Sequence, residues 1–154
     1  MIRPIAVLIL SIALVCCSRS GPVASDAAAA KAYLDKAAKE PGAVRKSSGL
    51  VYRELRPGSG ASPRLDDVVR VNYRGTLIDG TEFDSSYKRN EPAEFPLNRV
   101  IPCWQEGVQM MKPGGKSQLV CPSEIAYGEL GSPPAIPGNA TLVFEIELLA
   151  IAGR

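Results

Sequence analysis

The 154-residue chain contains no histidine. Without an imidazole it cannot form a Ser-His-Asp or Cys-His nucleophile system, and it lacks the most common ligand of catalytic zinc ions. The charge is nearly balanced, because 18 Lys and Arg residues against 16 Asp and Glu residues give a net charge of only +2. This balance gives no electrostatic signal for nucleic acid. We therefore expect no metal, no cofactor and no nucleic-acid partner, and chemistry that depends on pocket shape, hydrogen bonds, carboxylates or cysteine.

An apolar run near the N-terminus predicts an export signal. Arg3 precedes residues 5–15, a run that is short for a membrane-spanning helix of about 20 residues but typical of a signal peptide. The run ends at Cys16-Cys17 and a polar segment follows, a pattern that resembles a bacterial lipobox. Because Leu14 stands three positions before Cys17, we expect a lipoprotein-type signal peptide at residues 1–17 and lipidation of Cys17. An ordinary cleaved signal peptide is the alternative.

Residues 18–48 are predicted to form a flexible tether and a short spacer helix. Ser, Gly and Pro are frequent in residues 18–25, as in flexible linkers. Residues 26–40 are rich in Ala and Lys, and Asp26 is a suitable N-cap. Pro41-Gly42 then ends the helix. Its apolar stripe is narrow, which favours a spacer, and a dimerisation helix is the alternative.

A different pattern begins at Gly49. Apolar and polar residues alternate along residues 68–74 and 142–148, as expected for half-buried strands. Asp79-Gly80 is a strong hairpin signal. One short amphipathic helix is indicated by Trp104, Val108 and Met111 at helical spacing. These features predict an α+β domain over residues 49–154, with the helix lying across one face of an antiparallel sheet.

Four strings in this region resemble the signature of the FK506-binding proteins. They are VNYRGTLIDGTEFDSS at residues 71–86, VIPCWQEG at 100–107, AYG at 126–128 and ATLVFEIEL at 140–148. Residues 39–42 and 48–52 are similar to the bacterial periplasmic FkpA and Mip branch. The resemblance implies an α+β fold in which a twisted antiparallel half-barrel sheet wraps around one short α-helix. It also implies peptidyl-prolyl cis-trans isomerase activity on proline-containing polypeptides in the periplasm.

The same resemblance implies a pocket between sheet and helix. Trp104 is its expected floor, and Asp84 and Tyr127 are its expected polar groups. The Ile101 backbone N–H is expected to hold a substrate carbonyl, and the apolar walls are expected to be Tyr73, Phe83, Val100, Ile101, Ile136 and Phe144. From the residues alone, each aromatic side chain is more simply explained as core. Asp84 is then more simply explained as a turn aspartate that bonds its own backbone.

Three positions depart from the small cytosolic relatives. Ala93 replaces an aromatic wall residue, Ser132 replaces a histidine on the lip of the pocket, and Cys103 replaces a glycine before the tryptophan. The first two changes predict a pocket that is wider on one side. FK506-like macrolides are therefore candidate ligands, and the sequence supports their tight binding less strongly than it supports the fold.

Export and the topology of the family together imply a disulfide between Cys103 and Cys121. Exported cysteine pairs are usually bridged, and of the four cysteines Cys16 leaves with the signal and Cys17 is acylated. A thiol oxidoreductase is disfavoured, because no Cys-x-x-Cys motif exists. Two buried free thiols are the alternative to the bridge.

Isomerase activity needs no nucleophile. Rotation about a peptide bond is opposed by a barrier of about 18–20 kcal/mol because resonance must be broken. An apolar pocket favours the twisted imide, whose charge separation is reduced. We expect a monomeric isomerase that assists the folding of exported proteins. A non-catalytic chaperone or binding module, using the long loop at residues 128–138, is the alternative.

Lipidation at Cys17 is the first testable prediction. Mass spectrometry of the membrane fraction should find a mature N-terminus at acylated Cys17, and Ser18 in the next position favours the outer membrane of a Gram-negative host. Cys17→Ala should abolish acylation, whereas Cys16→Ala should leave the mature mass unchanged because residue 16 is removed. An unmodified N-terminus downstream of Cys17 contradicts the prediction.

Overall fold

A seven-stranded antiparallel sheet dominates the structure, a computed structural model that describes residues 22–152. In chain order the elements are α1 (Pro22–Ala37), β1 (Ala43–Arg45), β2 (Val51–Arg56), β3 (Val68–Leu77), β4 (Glu82–Ser85), α2 (Ser86–Arg89), β5 (Ala93–Pro96), α3 (Pro102–Val108), β6 (Lys116–Cys121) and β7 (Leu142–Ile151), with 3₁₀ turns at Leu97–Arg99 and Ser123–Ile125. The predicted signal peptide and the predicted lipidation site Cys17 lie outside the described residues. None of the helices within residues 22–152 is long and apolar enough to cross a membrane.

The strand order is β1-β2-β6-β7-β3-β4, and β5 pairs with the first half of β3 while β4 pairs with its second half. The predicted period-two pattern is present in the central strands. On β7, Phe144 and Ile146 are buried on the face toward α3, here called the inner face, whereas Glu145 and Glu147 point to the outer face and are partly exposed. The α+β architecture predicted from the sequence is therefore found.

Helix α3 lies against the inner face. Pro102 occupies its first turn, where a missing N–H is tolerated, and Trp104 and Val108 are buried against the sheet. The helix ends at Val108, earlier than the apolar spacing indicated, although Met111 is still 1% exposed. Gly107 allows the close approach, because a Cβ at this position would overlap the side chain of Leu119 on β6. The helix axis can thus lie close to the sheet because residue 107 has no side chain.

Helix α1 packs on the outer face. Val51, Val120 and Val143 are neighbours in register across β2, β6 and β7, and they form one buried row with Leu34 of α1. An ion pair of 2.8 Å between Asp35 and Arg45 adds a link between helix and β1, although an exposed pair of this kind contributes little. The helix is therefore part of the folded unit.

Three boundaries in the structure differ from those predicted from the sequence. The helix begins at Pro22 and ends at Ala37, so residues 22–25 of the predicted tether are helical and the predicted last turn is not. Proline is well tolerated in a first turn, which explains the earlier start. Strand β1 also pairs with β2 before the predicted domain start at Gly49. The predicted spacer is better described as the covering layer of the outer face.

A disulfide joins Cys103, in the first turn of α3, to Cys121, the last residue of β6. Their Cα atoms are 5.9 Å apart, and both side chains are fully buried. The bridge closes a loop of 18 positions and connects the residue before Trp104 to the sheet. This is the same cysteine pair that was expected from the sequence.

Loss of this bridge should destabilise the fold. In the chain-entropy model a loop of this length contributes about 3 kcal/mol, so we expect Cys103→Ala/Cys121→Ala to lower the unfolding free energy by about that amount. Urea denaturation with and without a reductant measures it: the reductant should destabilise the wild type and leave the double variant unchanged. Two reactive thiols in unreduced, denatured wild-type protein contradict the prediction.

Candidate active site

A cavity of about 370 Å³ opens between α3 and the inner face of the sheet. The five residues predicted to be catalytic all line it: Phe83, Asp84, Trp104, Tyr127 and Phe144. Three of the four predicted substrate-binding residues, Tyr73, Val100 and Ile101, line it as well. The structure therefore brings together residues that are up to 71 positions apart in the sequence.

Aromatic rings packed edge to face form the floor and walls of the cavity. The ring of Trp104 is 5.2 Å from that of Tyr73, 5.8 Å from that of Phe95 and 5.4 Å from that of Phe144, and each pair is nearly perpendicular. This geometry is the favourable one for aromatic quadrupoles. Trp104 is 4% exposed, and its buried indole N–H has no acceptor among residues 22–152. Apart from this N–H, the floor is therefore apolar.

The wall formed by Phe83 and Phe144 depends on a glycine. Gly75 of β3 lies opposite Phe144 in the sheet register, and the rings of Phe83 and Phe144 are 5.6 Å apart. A Cβ at Gly75 would lie 2.6 Å from Phe83 and 3.0 Å from Phe144. Both rings can therefore lie over the backbone of β3 only because residue 75 has no side chain.

A hydrogen-bonded triad defines the polar edge. The Tyr73 hydroxyl donates to Asp84, and Arg89 donates to Asp84 at 2.5 Å and to the Tyr73 hydroxyl at 2.9 Å. Helix α2 makes this possible, because its single turn carries Arg89 back toward the end of β4. Asp84 also accepts the Ser85 N–H at 2.8 Å. The turn-aspartate interpretation therefore explains only one of its bonds.

These contacts shift the pKa values of the polar groups. Burial raises the pKa of Asp84, but the hydrogen bonds from Tyr73 and Arg89 and the Arg89 charge outweigh it, and the net pKa is lowered. Burial and then the bond to Asp84 raise the pKa of Tyr73. Burial, with a smaller effect of the Asp84 charge, raises the pKa of Tyr127. At neutral pH the site thus holds an ionised carboxylate and two neutral phenols.

Besides the Trp104 indole N–H, two hydrogen-bonding groups at the cavity are unpaired. The backbone N–H of Ile101 has no acceptor among residues 22–152, although its carbonyl accepts from Trp104 at 2.9 Å and from Gln105 at 3.1 Å. The Tyr127 hydroxyl, on a side chain that is 40% exposed, also has no partner in the described part of the chain. The Tyr127 hydroxyl is thus not bonded to Asp84, whose partners are Tyr73, Ser85 and Arg89. Both groups are available to a bound peptide.

Ile136 is the predicted wall residue that does not line the cavity. It is 4% exposed in the core, and its N–H and carbonyl bond to Ser132 at 3.0 and 2.9 Å. The loop thus folds back on itself and turns Ile136 inward. Ser132 belongs to this internal turn.

Phe95 and Arg99 also line the cavity, although neither was expected from the sequence. Ala93 and Phe95 share one face of β5, because residues two apart in a strand point the same way. The aromatic side chain missing at 93 is therefore supplied at 95, where it contacts Tyr73 and Trp104. The alternation in β5 was the available signal for Phe95, and the predicted greater width of the pocket at Ala93 stays a prediction.

No group of three or more Cys, Asp or Glu side chains within residues 22–152 could hold a metal ion.

Residues 60–149 match the family model described as FKBP-type peptidyl-prolyl cis-trans isomerase. The chain belongs to this family. The family assignment suggested by the four sequence strings is therefore confirmed, and the protein is an FKBP-type chain.

The relatives agree with the family assignment. FkpA of Escherichia coli K12 is 52% identical over 128 residues, which are 83% of this chain and 47% of that protein. Mip, a peptidyl-prolyl cis-trans isomerase of Coxiella burnetii, is 46% identical over 121 residues, 79% of this chain and 53% of Mip. The FKBP chain thus spans about half the length of these curated relatives.

Solved structures confirm the FKBP fold. The crystal structure of E. coli FkpA matches with a TM-score of 0.80 and 52% identity, over 83% of this chain and 60% of that one. The crystal structure of AtFKBP13 matches with a TM-score of 0.67 and 32% identity, over 71% of this chain and 98% of that one. The predicted arrangement of an open antiparallel sheet around one short helix is correct.

The lowered pKa of Asp84 in this FKBP domain predicts a pH-dependent stability. The ionised carboxylate stabilises the fold above about pH 4, the ordinary range of aspartate, and this contribution is lost as the pH falls through the lowered pKa. Asp84→Asn should therefore reduce the melting temperature at pH 7, and its difference from wild type should shrink toward about pH 2. Exposed Asp66 lies outside the cavity, so Asp66→Asn should follow the wild-type curve. A constant Asp84→Asn deficit at all pH values contradicts the prediction.

Proposed function

We propose that this protein catalyses cis-trans rotation about X–Pro bonds in exported polypeptides and thereby assists their folding. The observation that carries the proposal is the aromatic cavity with an unpaired Ile101 N–H at its edge. A proline ring fits between perpendicular aromatic side chains, and the free N–H can hold the carbonyl of the bound peptide. Membership of the FKBP-type isomerase family supports the same reaction.

The reaction follows from differential binding. In the planar ground state the imide is charge-separated, and in the twisted transition state this separation is reduced. The apolar floor and walls formed by Trp104, Phe83 and Phe144 therefore favour the transition state over the ground state, whereas bulk water favours the ground state. No proton transfer and no covalent intermediate are needed, which agrees with a chain that has no histidine.

The polar residues position the peptide and the walls. Ile101 N–H and the Tyr127 hydroxyl bind substrate carbonyls on either side of the proline. Asp84 holds the Tyr73 hydroxyl and Arg89, so that the Tyr73 ring stays against Trp104. Asp84 and Arg89 are positioning residues in this proposal, and Val100 completes the wall. Ile136 does not line the cavity and belongs to the core cluster that includes Trp104.

The place of action follows from the N-terminal sequence. The chain is exported to the periplasm and anchored through a lipid on Cys17, in the outer membrane of a Gram-negative host, and it acts there as a monomer. The same cavity is the site for FK506-like macrolides, and Phe95 supplies the aromatic contact that Ala93 lacks.

A chaperone without turnover is the second candidate. It is favoured by Leu130, which is 86% exposed in the loop that follows the cavity residue Tyr127, itself 40% exposed. Exposed apolar side chains on a loop are suited to holding unfolded chains. The two candidates differ in one measurement, which is the rate of proline isomerisation.

The purified chain should accelerate cis-trans exchange in a proline peptide, and FK506 should inhibit it. Tyr127→Phe should lower kcat/KM by roughly 5-fold, the equivalent of one hydrogen bond of about 1 kcal/mol. Tyr87→Phe is the matched control, because Tyr87 is 43% exposed and lies outside the cavity. A folded chain that gives no acceleration contradicts the proposal, and suppression of aggregation by that chain would favour the chaperone. Equal kcat/KM values for Tyr127→Phe and Tyr87→Phe would contradict the proposed role of Tyr127 but not the proposed isomerase activity.

A further inference from the structure

Arg99 carries an unneutralised charge at the cavity. Only Asp84 and Arg99 are charged among the residues that line it. Asp84 is already paired with Arg89 at 2.5 Å, whereas the Arg99 side chain has no hydrogen bond or ion pair with any residue of the described range 22–152. The cavity therefore presents one free positive charge, on an exposed side chain.

The backbone on both sides of Arg99 is fixed. Arg99 ends the 3₁₀ turn Leu97–Arg99, in which Leu97 is fully buried and donates its N–H to the Asp67 carbonyl at 2.9 Å. On the other side, the Gln105 side chain donates to the Val100 carbonyl at 2.8 Å. Arg99 is thus attached to a rigid segment, two positions before the unpaired Ile101 N–H.

We propose that Arg99 is a specificity-determining residue that binds an acidic side chain next to the proline of the substrate. The inference rests on the proposed isomerase function. An apolar cavity of about 370 Å³ takes the proline itself, so the flanking residues of the peptide lie at its mouth, within reach of an exposed side chain that lines the cavity, such as Arg99. A guanidinium matches a carboxylate with two parallel hydrogen bonds. Because Asp84 is already occupied, no cavity-lining carboxylate competes for Arg99.

The test compares peptides that differ in one group. Exchange NMR gives kcat/KM for a peptide with Glu before the proline and for its Gln counterpart, and the same pair is measured with Glu or Gln after the proline. For the wild type we expect the Glu peptide of at least one pair to be faster by about 2- to 5-fold at low salt, the range of an exposed ion pair. Salt at about 0.5 M should reduce this ratio, because exposed charges are screened.

The variants separate the Arg99 charge from general effects. Arg99→Gln should bring the Glu-to-Gln ratio to about one, and Arg99→Lys should keep part of it, because a lysine retains the charge but not the paired hydrogen bonds. Since the readout is a ratio, a uniform change in activity cancels. Arg70→Gln is the matched control: Arg70 is an exposed arginine of β3 outside the cavity, and its removal should leave the ratio unchanged.

Three results overturn the inference. They are a wild-type ratio of one in both peptide pairs, a ratio that survives in Arg99→Gln, and an equal loss of the ratio in Arg70→Gln, which would indicate overall charge. Each of these, with normal catalysis of the Gln peptides, overturns the role of Arg99 alone. A folded protein that accelerates none of the peptides overturns the proposed function and this inference together.

Discussion

The perpendicular packing of three aromatic rings on Trp104 is the contact on which the site depends. Tyr73 and Phe144 come from neighbouring strands of the sheet, and Phe95 comes from β5. Their edges meet the indole only if α3 lies at one height above the inner face. The disulfide at Cys103 and the close contact at Gly107 both fix that height. The cavity is therefore the space left over by a well-packed core, and its shape follows from the core.

The strands near the site could be predicted from the sequence because their pattern records which face is buried. Alternation in β3 and β7 gives the inner and outer faces directly. The limits of α1 could not be predicted in the same way. An alanine-rich segment has high helix propensity at nearly every position and so contains little information about where it stops. Strand β1 has only three residues, too few for a recognisable alternation, and its pairing with β2 is therefore not visible in the local sequence.

The site residues could be predicted where a sequence motif determines both the residue and the strand or helix that carries it. Trp104 and Asp84 lie where the family strings place them. The structure differs from the expected site where the position of a residue depends on the path of a loop or on a partner distant in sequence. Ile136 is turned into the core by the backbone bonds of its own loop. Arg89 reaches Asp84 only through the single turn of α2, and Phe95 replaces a missing ring from two residues along β5.

Gly107 and Leu119 face the same small space in the core, so the size of the side chain at one position limits the size at the other. The side chain of Leu119 fills the space that a Cβ at residue 107 would need, and the helix cannot retreat without separating Trp104 from the rings around it. In a core packed as densely as an organic crystal, an added methyl group must be compensated nearby. Within this fold, an alanine at 107 is compatible only with a residue shorter than leucine at 119. The two positions are therefore expected to vary together among proteins that keep the same cavity.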